Sequence, residues 1–341
     1  MATALTELFN LIRSSNKIPA DWKSSDIILL PKKGNRHKIE NYRPITLRLT
    51  VAKIFSKLIQ LRIQHILDTQ QPIEQAGFRK SFSTTDHLHS MNQLIEKCTE
   101  YQLNLYIALI DYKKAFDSLK HNFIFTALRD QGIPENFVSI IQEMYRGMTA
   151  RIKTDVEGQY FEIKRGVGQG DPLSPILFNS ALERIFRGLN WENNGINING
   201  KRISNLRFAD DVILLSDSEE ELNEMIKELA KQGEESGLVI SINKTKMLSN
   251  QVMKTRMQLY GKTIETTNEA TYLGQLLTFT DRTNKEIDIR ISKTWKKFWL
   301  LKRIFKGPFK NYHKCEIFNM CVVPTLTYGC QTWSLTSKNE K

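Results

Sequence analysis

The sequence NLRFADDVILLS, residues 205–216, contains two adjacent aspartates between two strand-like runs. These runs predict a pair of antiparallel strands that turn at or beside Asp210 and Asp211. Aspartate is common in turns, so the pair by itself indicates no more than a solvated turn. Neighbouring carboxylates nevertheless repel each other, and each has to be solvated, paired with a cation or bound to a metal ion.

A third aspartate changes this interpretation. Asp111 ends the apolar run LNLYIALID, residues 103–111, which is typical of a buried strand. If that strand lies beside the hairpin, three carboxylates meet at one edge of a sheet and require cations. Oxygen ligands suit Mg²⁺. We therefore expect Asp111, Asp210 and Asp211 to bind two Mg²⁺ ions, with Mn²⁺ as an alternative, in a site able to catalyse phosphoryl displacement.

The order of elements indicates the fold around these aspartates. From Leu103 onwards the sequence predicts a strand, two helices, a hairpin, a helix, the aspartate hairpin, a helix and a strand. This order is typical of a split βαβ sheet with helices on one face. The hairpin at about residues 151–165 is expected to be peripheral, and the last strand is expected at LVISI, residues 238–242.

The chain is basic, with 49 Lys and Arg residues against 37 Asp and Glu residues and a net charge of +12. Residues 285–314 hold ten basic and two acidic residues, so this segment carries most of the excess. Such a charge favours a polyanionic partner, although a solvated basic surface is the alternative. Apolar residues recur there at helical spacing and are predicted to face the core, away from the lysines: Ile287, Ile291, Trp295, Phe298 and Trp299.

The sequence also bears on the compartment. No apolar run approaches the roughly 20 residues of a membrane helix, and the first residues lack the uninterrupted apolar segment of a signal peptide. The four dispersed cysteines are expected to be free thiols in a reducing compartment, without a zinc site. We expect an intracellular protein with no membrane partner; the sequence does not distinguish a nuclear from a cytoplasmic location.

Several further motifs follow one another along the chain. The central ones are ALIDYKKAFDS (residues 108–118), GVGQGDPLSPILFN (166–179), FADD (208–211) and INKTK (242–246). The outer ones are IPADWKSSDIILLPKKG (18–34), NYRPITL (41–47), EQAGFRKSFSTTDHL (74–88), TYLGQLLT (271–278) and PTLTYGCQTW (324–333). In this order the set resembles the reverse transcriptases of non-LTR (LINE-like) retrotransposons, and the resemblance extends over nearly the whole chain.

The resemblance implies an RNA-directed DNA polymerase, a nucleotidyltransferase that extends a primer 3′-hydroxyl with deoxynucleoside triphosphates as part of retrotransposition. The implied fold is α/β (α+β): a right hand with fingers at residues 1–104, a split-βαβ palm at 105–277 and a helical thumb at 278–341. The implied partners are an RNA template, a DNA primer or target, and deoxynucleoside triphosphates. We also expect a fragment, with an incomplete thumb and without the endonuclease domain common in that family.

The resemblance further implies roles for residues near the aspartates. Asp111, Asp210 and Asp211 match the metal-binding aspartates of the family, and Asp210 is expected to be the stronger ligand of its pair. Phe116 matches a bulky residue that excludes a ribose 2′-hydroxyl, with core packing as its alternative role. Gln169 and Gly170 match a segment that lies along the template and the incoming nucleotide, where glycine allows close backbone approach.

Basic residues are implied to contact phosphates. Lys244 matches a lysine near the leaving pyrophosphate, although Lys246 is close by and an exposed lysine is the plainer alternative. Arg79 resembles a fingers residue that reaches the triphosphate, with a solvated loop arginine as its alternative. The last set resembles a thumb face that binds the nucleic-acid backbone: Lys293, Lys296 and Lys297.

Two other functions are compatible with the same residues. A catalytically inactive RNA-binding remnant would keep the fold without the chemistry, although the intact aspartates argue against that loss. A group II intron-type reverse transcriptase shares the same palm. The YGCQTW motif at residues 328–333 and the lack of a maturase-like extension favour the retrotransposon class.

Overall fold

The chain contains both helices and strands, and the computed structural model describes residues 2–32, 34–154 and 158–335. Its α-helices are α1 (Ala2–Ser15), α2 (Thr50–Gln70), α3 (Thr84–Glu100), α4 (Ala115–Ser118), α5 (His121–Asp130), α6 (Glu135–Tyr145), α7 (Ser174–Arg187), α8 (Glu219–Ser236), α9 (Arg282–Leu300), α10 (Lys302–Lys306), α11 (Asn311–Ile317) and α12 (Val323–Thr327). Its strands are β1 (Ser24–Pro31), β2 (Tyr42–Leu47), β3 (Tyr106–Ile110), β4 (Thr149–Ile152), β5 (Phe161–Glu162), β6 (Ile196–Ile198), β7 (Lys201–Ile203), β8 (Asn205–Phe208), β9 (Asp211–Ser216), β10 (Lys246–Ser249), β11 (Gln258–Leu259), β12 (Lys262–Thr263), β13 (Glu265–Thr266), β14 (Glu269–Tyr272) and β15 (Gln275–Thr278).

The central sheet has the strand order β13–β10–β3–β9–β8, and β3 runs antiparallel to both of its neighbours. Strands β8 and β9 form the hairpin predicted around the aspartates, with Phe208 paired to Asp211 across the turn. The prediction that the Asp111 strand lies beside this hairpin is also confirmed, because β3 pairs with β9 along its length. The three aspartates therefore belong to neighbouring strands of one sheet.

Both faces of the central sheet are covered, and the side chains of β3 alternate between them as expected for a strand. Ala108 and Ile110 belong to the larger core, which contains residues of α5, α7 and α8. Ile107 belongs to a second core formed with residues of α3 and of the β14–β15 hairpin. The helices predicted after Leu103 all contribute to the larger core, so the expected single helical face is confirmed for them, and α3, which precedes them in the chain, covers the second face.

The last palm strand is not where the sequence suggested. Within residues 238–242 only Ile240 forms an isolated bridge, to Tyr112, and the strand that pairs with β3 is β10. The segment passes the end of β3 instead of running alongside it: Ser241 N donates to Asp111 O at 2.7 Å, and Thr245 N turns back to donate to Ser241 O at 2.9 Å. The prediction of a strand at LVISI is therefore wrong, because a single isolated bridge does not form a strand ladder.

A second sheet has the order β2–β1–β4–β5. Strand β1 pairs antiparallel with β2 and parallel with β4, and β4 pairs antiparallel with β5. The hairpin predicted at about residues 151–165 thus has paired strands, and its residues 155–157 lie outside the described residues. It lies outside the central sheet, in the sheet that β1 and β2 begin.

Helix α9 packs on β15 through a polar face. Glu286 and Arg290 are buried, and Glu286 Oε2 accepts a hydrogen bond from Leu276 N at 2.8 Å. Arg290 donates to Glu286 and to Gly274 O, both at 2.5 Å. The predicted core-facing aromatic stripe is wrong, since Trp295 and Trp299 are 56% and 54% exposed. The aromatic residues do recur at helical spacing on α9. The face of α9 that packs against the sheet, however, is the one that carries the buried Glu286–Arg290 ion pair.

Among the described residues, no helix combines the length and the apolar character needed to cross a membrane. The cysteines differ in their exposure: Cys98 is buried, Cys315 is exposed, and Cys321 and Cys330 are partly exposed.

A buried histidine joins α3 to the β14–β15 hairpin. His87 is 4% exposed, and its Nδ1 lies 3.1 Å from Tyr272 Oη. Burial lowers the pKa of His87 to about 4 from the usual 6.5. Between these pH values the unfolded chain binds this proton and the folded chain does not. Folding is therefore opposed increasingly as the pH falls through that window.

We expect His87→Gln to flatten the acid side of the stability profile. The wild-type chain should lose up to about 3 kcal/mol of unfolding free energy at His87 as the pH falls from 6.5 to 4, because 1 pKa unit is about 1.4 kcal/mol. Glutamine retains a polar group near Tyr272 but does not titrate. Urea unfolding of both proteins at pH 7.5, 6 and 5 measures the difference. Parallel profiles would show that His87 is not the group that resists protonation.

Candidate active site

The ends of β3 and of the β8–β9 hairpin open into a cleft of about 760 Å³, whose opposite wall includes residues of β1 and β2. We call it the aspartate cleft. Seven of the residues singled out from the sequence line it together: Asp111, Phe116, Gln169, Gly170, Asp210, Asp211 and Lys244. The cleft therefore brings together side chains that are up to 133 residues apart in the chain.

Strand register brings the aspartates to the same edge. Ile110 pairs with Val212. Asp111 follows Ile110 and Asp211 precedes Val212, so the two aspartates meet where β3 ends and β9 begins. Asp210 lies in the two-residue turn between Phe208 and Asp211. Ala209, the other turn residue, has a φ of 57°, a left-handed conformation that most residues other than glycine avoid.

Burial, with a contribution from the neighbouring carboxylates, raises the pKa of two of the three aspartates. Burial in the cleft wall is the main cause for Asp210, with a further increase from the charge of Asp111 and opposing effects of Arg43 and Lys244. Burial likewise raises the pKa of Asp211 to about 6, and the charges of Asp210 and Asp111 add to it. Asp211 has surface open to the cleft, yet the walls displace much of the water that would solvate it.

Lys244 is the cation nearest to these groups. Its Nζ lies 3.3 Å from Asp111 Oδ1, and the two side chains are 64% and 35% exposed. Lys246, its competitor in the sequence, instead pairs with Glu265 at 3.5 Å across β10 and β13. The structure thus separates the two lysines and places Lys244, not Lys246, in the aspartate cleft.

The donor set of the cleft fits a hard divalent cation. Asp111, Asp210 and Asp211 offer carboxylate oxygens only, which is the ligand type that Mg²⁺ and Mn²⁺ accept. Within residues 2–32, 34–154 and 158–335, no three His, Cys, Asp or Glu side chains are already gathered around one point as ligands. Burial is the main reason that the pKa values of Asp210 and Asp211 are raised, and repulsion between the carboxylates adds to it.

Phe116 both packs and lines the cleft. Its ring stacks on the buried Phe178 ring with centroids 4.4 Å apart and planes 14° apart, and it contacts the edge of Phe78 at 6.2 Å. One face of Phe116 is therefore fixed by the core while the ring still borders the aspartate cleft. The two roles considered from the sequence are compatible with each other.

The Gln169–Gly170 loop is held by the second sheet. Thr46 N on β2 donates to Gln169 O at 2.8 Å, and Gly170 has a φ of 109°, which favours glycine. Asp171 is buried and binds Arg48 at 2.6 Å and Leu173 N at 2.9 Å. These contacts fix the turn before α7 and the start of that helix.

Four predicted residues lie outside the cleft. The Arg79 guanidinium donates to the backbone carbonyls of Pro72 and Gln75 at 2.6 and 2.8 Å and contacts the Phe82 ring, so these groups occupy it. It is not among the residues that line the aspartate cleft. The other three are on α9: Lys293, Lys296 and Lys297.

Sequence reasoning missed two cations of the facing wall. Lys32 and Arg43 line the cleft, and they come from the basic stretch that reads as a turn-rich loop. The pairing of β1 with β2 brings Pro31 opposite Tyr42, so the residues beside them are carried to the cleft. The available signal was the pair of strand-like runs on either side of the loop, which predicts a hairpin.

A split sheet that carries three aspartates at its edge, in a cleft that Lys32 and Arg43 also line, defines a right-hand polymerase. The chain matches the family described as "Reverse transcriptase (RNA-dependent DNA polymerase)" over residues 30–277. It belongs to this reverse transcriptase family. The resemblance stated from the motifs is thereby confirmed.

Relatives among known proteins specify the class. The Pol polyprotein of the retrotransposable element R2 from Nasonia vitripennis is 28% identical over 332 residues, covering 94% of this chain and 32% of that protein. A probable RNA-directed DNA polymerase from the X-element of Drosophila melanogaster is 27% identical, covering 97% of this chain and 37% of that protein. The chain thus spans about a third of the length of these relatives.

Solved structures support the fold. Apo telomerase from Candida tropicalis, truncated from its C-terminal domain, superposes with a TM-score of 0.54 at 16% identity, over 82% of this chain and 59% of that one. Telomerase from Candida albicans superposes with a TM-score of 0.50 at 13% identity, over 98% of this chain and 63% of that one. At this identity the likeness shows the right-hand fold alone, which confirms the expected fold class.

Proposed function

We propose that this chain catalyses RNA-templated DNA synthesis, in which a primer 3′-hydroxyl attacks the α-phosphate of a deoxynucleoside triphosphate. The observation that carries the proposal is the convergence of Asp111, Asp210 and Asp211 in one cleft of a reverse transcriptase fold. The similarity to proteins of non-LTR retrotransposons favours a role in retrotransposition. The expected partners are an RNA template, a DNA primer or target, and deoxynucleoside triphosphates.

The aspartates would hold the divalent cations. Asp111 and Asp210 would be the main ligands and Asp211 the weaker one, because Asp210 lies in the turn itself. Two bound Mg²⁺ ions would lower the pKa of the primer hydroxyl and neutralise charge on the phosphates. Lys244 is largely exposed, so it can leave Asp111 and turn towards the leaving pyrophosphate.

The cleft walls would position the nucleotide. The Phe116 ring, held by Phe178, would lie against the sugar and leave no room for a 2′-hydroxyl. The backbone at Gln169 and Gly170 would border the template base pair. Lys32 and Arg43 take over the triphosphate role that the sequence assigned to Arg79, because they line the cleft and Arg79 does not.

The thumb would bind the nucleic-acid backbone through α9. Lys296 is exposed, and Lys293 and Lys297 lie on the same helix. The exposed rings of Trp295 and Trp299 interleave with these lysines and offer stacking or sugar contacts that a core-facing stripe would not. We divide the chain into fingers at residues 1–104, a palm at 105–277 and a thumb at 278–341, with β4 and β5 assigned to the fingers because they extend the β1–β2 sheet.

Asp210→Ala should abolish primer extension. Loss of a metal ligand is expected to lower the rate of extension of a DNA primer on an RNA template in Mg²⁺ by about 10³-fold or more. Binding of the template–primer should not weaken, because the change removes a negative charge. Glu235→Ala, which removes an exposed carboxylate on α8, is the matched control and should extend like the wild type. A wild-type protein that binds template–primer but extends nothing would favour the RNA-binding remnant.

Phe116→Ala should relax sugar selection. Removing the ring opens space beside the 2′-position, so the ratio of ribonucleotide to deoxynucleotide incorporation should rise by about tenfold or more. Single-nucleotide extension with each triphosphate measures this ratio. The variant also loses the stack on Phe178, so Phe178→Leu is the control that disturbs the same packing without opening the cleft. Equal changes in both variants would mean that Phe116 acts through packing only.

Lys296→Ala combined with Lys297→Ala should weaken binding of template–primer in a salt-dependent way. If both lysines contact phosphates, the slope of log K against log salt concentration should become shallower by up to about 2. Fluorescence anisotropy between 50 and 300 mM salt gives the slope. The matched control combines Lys227→Ala with Lys231→Ala, which removes two exposed lysines from α8. Identical slopes for the two double variants would refute a thumb-specific contact.

A further inference from the structure

Residues 74–77, which we call the edge segment, lie along the outer edge of the central sheet. Strand β8 is the last strand on that side of the sheet. Arg207 N donates to Glu74 O at 2.7 Å and Ala76 N donates to Arg207 O at 2.9 Å, so Gln75 and Arg207 form a parallel bridge. The edge segment therefore lies directly beside the strand that leads into the aspartate turn.

The side chain of Gln75 reaches from the edge segment into that turn. It is fully buried, and its Oε1 accepts hydrogen bonds from Gly77 N at 2.9 Å and from Ala209 N at 3.1 Å. Two backbone N–H donors converge on this atom, which identifies it as the amide oxygen. Ala209 is the left-handed residue immediately before Asp210. One side-chain oxygen thus holds the backbone conformation that aims the aspartates.

The edge segment is itself fixed against the turn. A side chain at Gly77 would place its Cβ 2.2 Å from Ala209 N, so only glycine allows this approach. Asn179 on α7 donates from Nδ2 to Gly77 O at 2.7 Å. Arg79 donates to the carbonyl of Gln75, which explains why its guanidinium is not in the cleft. These contacts leave Gln75 little freedom to follow a shift of Ala209.

We propose that Gln75 is a positioning residue for catalysis: its amide oxygen keeps Ala209 in the left-handed conformation that directs Asp210 and Asp211 into the aspartate cleft. Alanine disfavours that conformation, so without the hydrogen bond the turn relaxes towards ordinary backbone angles. The aspartates then present their oxygens less favourably to a divalent cation. This role rests on the proposed function, but Gln75 does not line the cleft and does not touch substrate.

Gln75→Met is the direct test, because methionine has a similar length and no acceptor oxygen. We expect binding of Mn²⁺ to the template–primer complex, measured by electron paramagnetic resonance, to weaken about tenfold. The Mg²⁺ concentration for half-maximal extension should rise similarly, and kcat should fall about 10²-fold, with KM for the deoxynucleotide within about threefold of wild type. Gln131→Met is the matched control, since Gln131 is equally buried but bonds to Ser180 on α7.

A suppressor separates positioning from packing. Ala209→Gly removes the penalty on the left-handed conformation, so adding it to Gln75→Met should recover at least about half of the lost Mn²⁺ affinity on a logarithmic scale. No recovery, or the same metal dependence for Gln75→Met and Gln131→Met, would overturn the proposal. If Gln75→Met does not fold, Gln75→Asn, whose amide is one methylene short of Ala209 N, is measured in the same way.

The Mn²⁺ measurement keeps this proposal separate from the proposed function. A wild-type protein that binds Mn²⁺ but does not extend a primer would contradict polymerase activity while leaving the comparison of Gln75→Met with Gln131→Met decisive for positioning. An active wild type with unchanged metal binding in Gln75→Met would contradict positioning alone.

Discussion

Repulsion among Asp111, Asp210 and Asp211 is the constraint on which the rest of the structure depends. The pairing of β3 with β9 brings these charges together. Burial chiefly, and the neighbouring charges in addition, raise the pKa values of Asp210 and Asp211. A sheet buried on both faces holds the strands in register despite that cost. The same crowding makes a divalent cation favourable in the cleft, because its charge offsets the repulsion.

Polar contacts connect the parts that surround the site. Buried ion pairs lie at three junctions: Arg48 with Asp171 beside the Gln169 loop, Arg207 with Glu183 between β8 and α7, and Arg290 with Glu286 under α9. A buried pair contributes less to stability than its Coulomb energy suggests, and breaking one leaves an uncompensated charge. Of the three pairs, Arg48–Asp171 lies nearest to the site, because Asp171 itself lines the aspartate cleft.

Predictions from the sequence were right where the signal lies in neighbouring residues. They were wrong where contacts with residues elsewhere in the fold decide the position of a side chain. Two apolar runs on either side of turn residues predict the hairpin at the aspartates. A third apolar run predicts β3, which pairs with that hairpin. The position of Arg79 could not be read in the same way, because the competing backbone carbonyls of Pro72 and Gln75 are set by a loop conformation. The aromatics of α9 were misplaced because helical spacing identifies a face without saying what covers it.

The sequence by itself determined the class of the protein and the three aspartates, because motif order, strand patterns and residue chemistry are local properties of the chain. It also indicated Phe116, Gln169, Gly170 and Lys244 through the family resemblance. Only the tertiary structure decided that Lys32 and Arg43 face the aspartates, that Lys246 is paired elsewhere and that Gln75 holds the turn. Those facts depend on contacts between residues far apart in the chain, and such contacts exist only after the sheets and helices have packed.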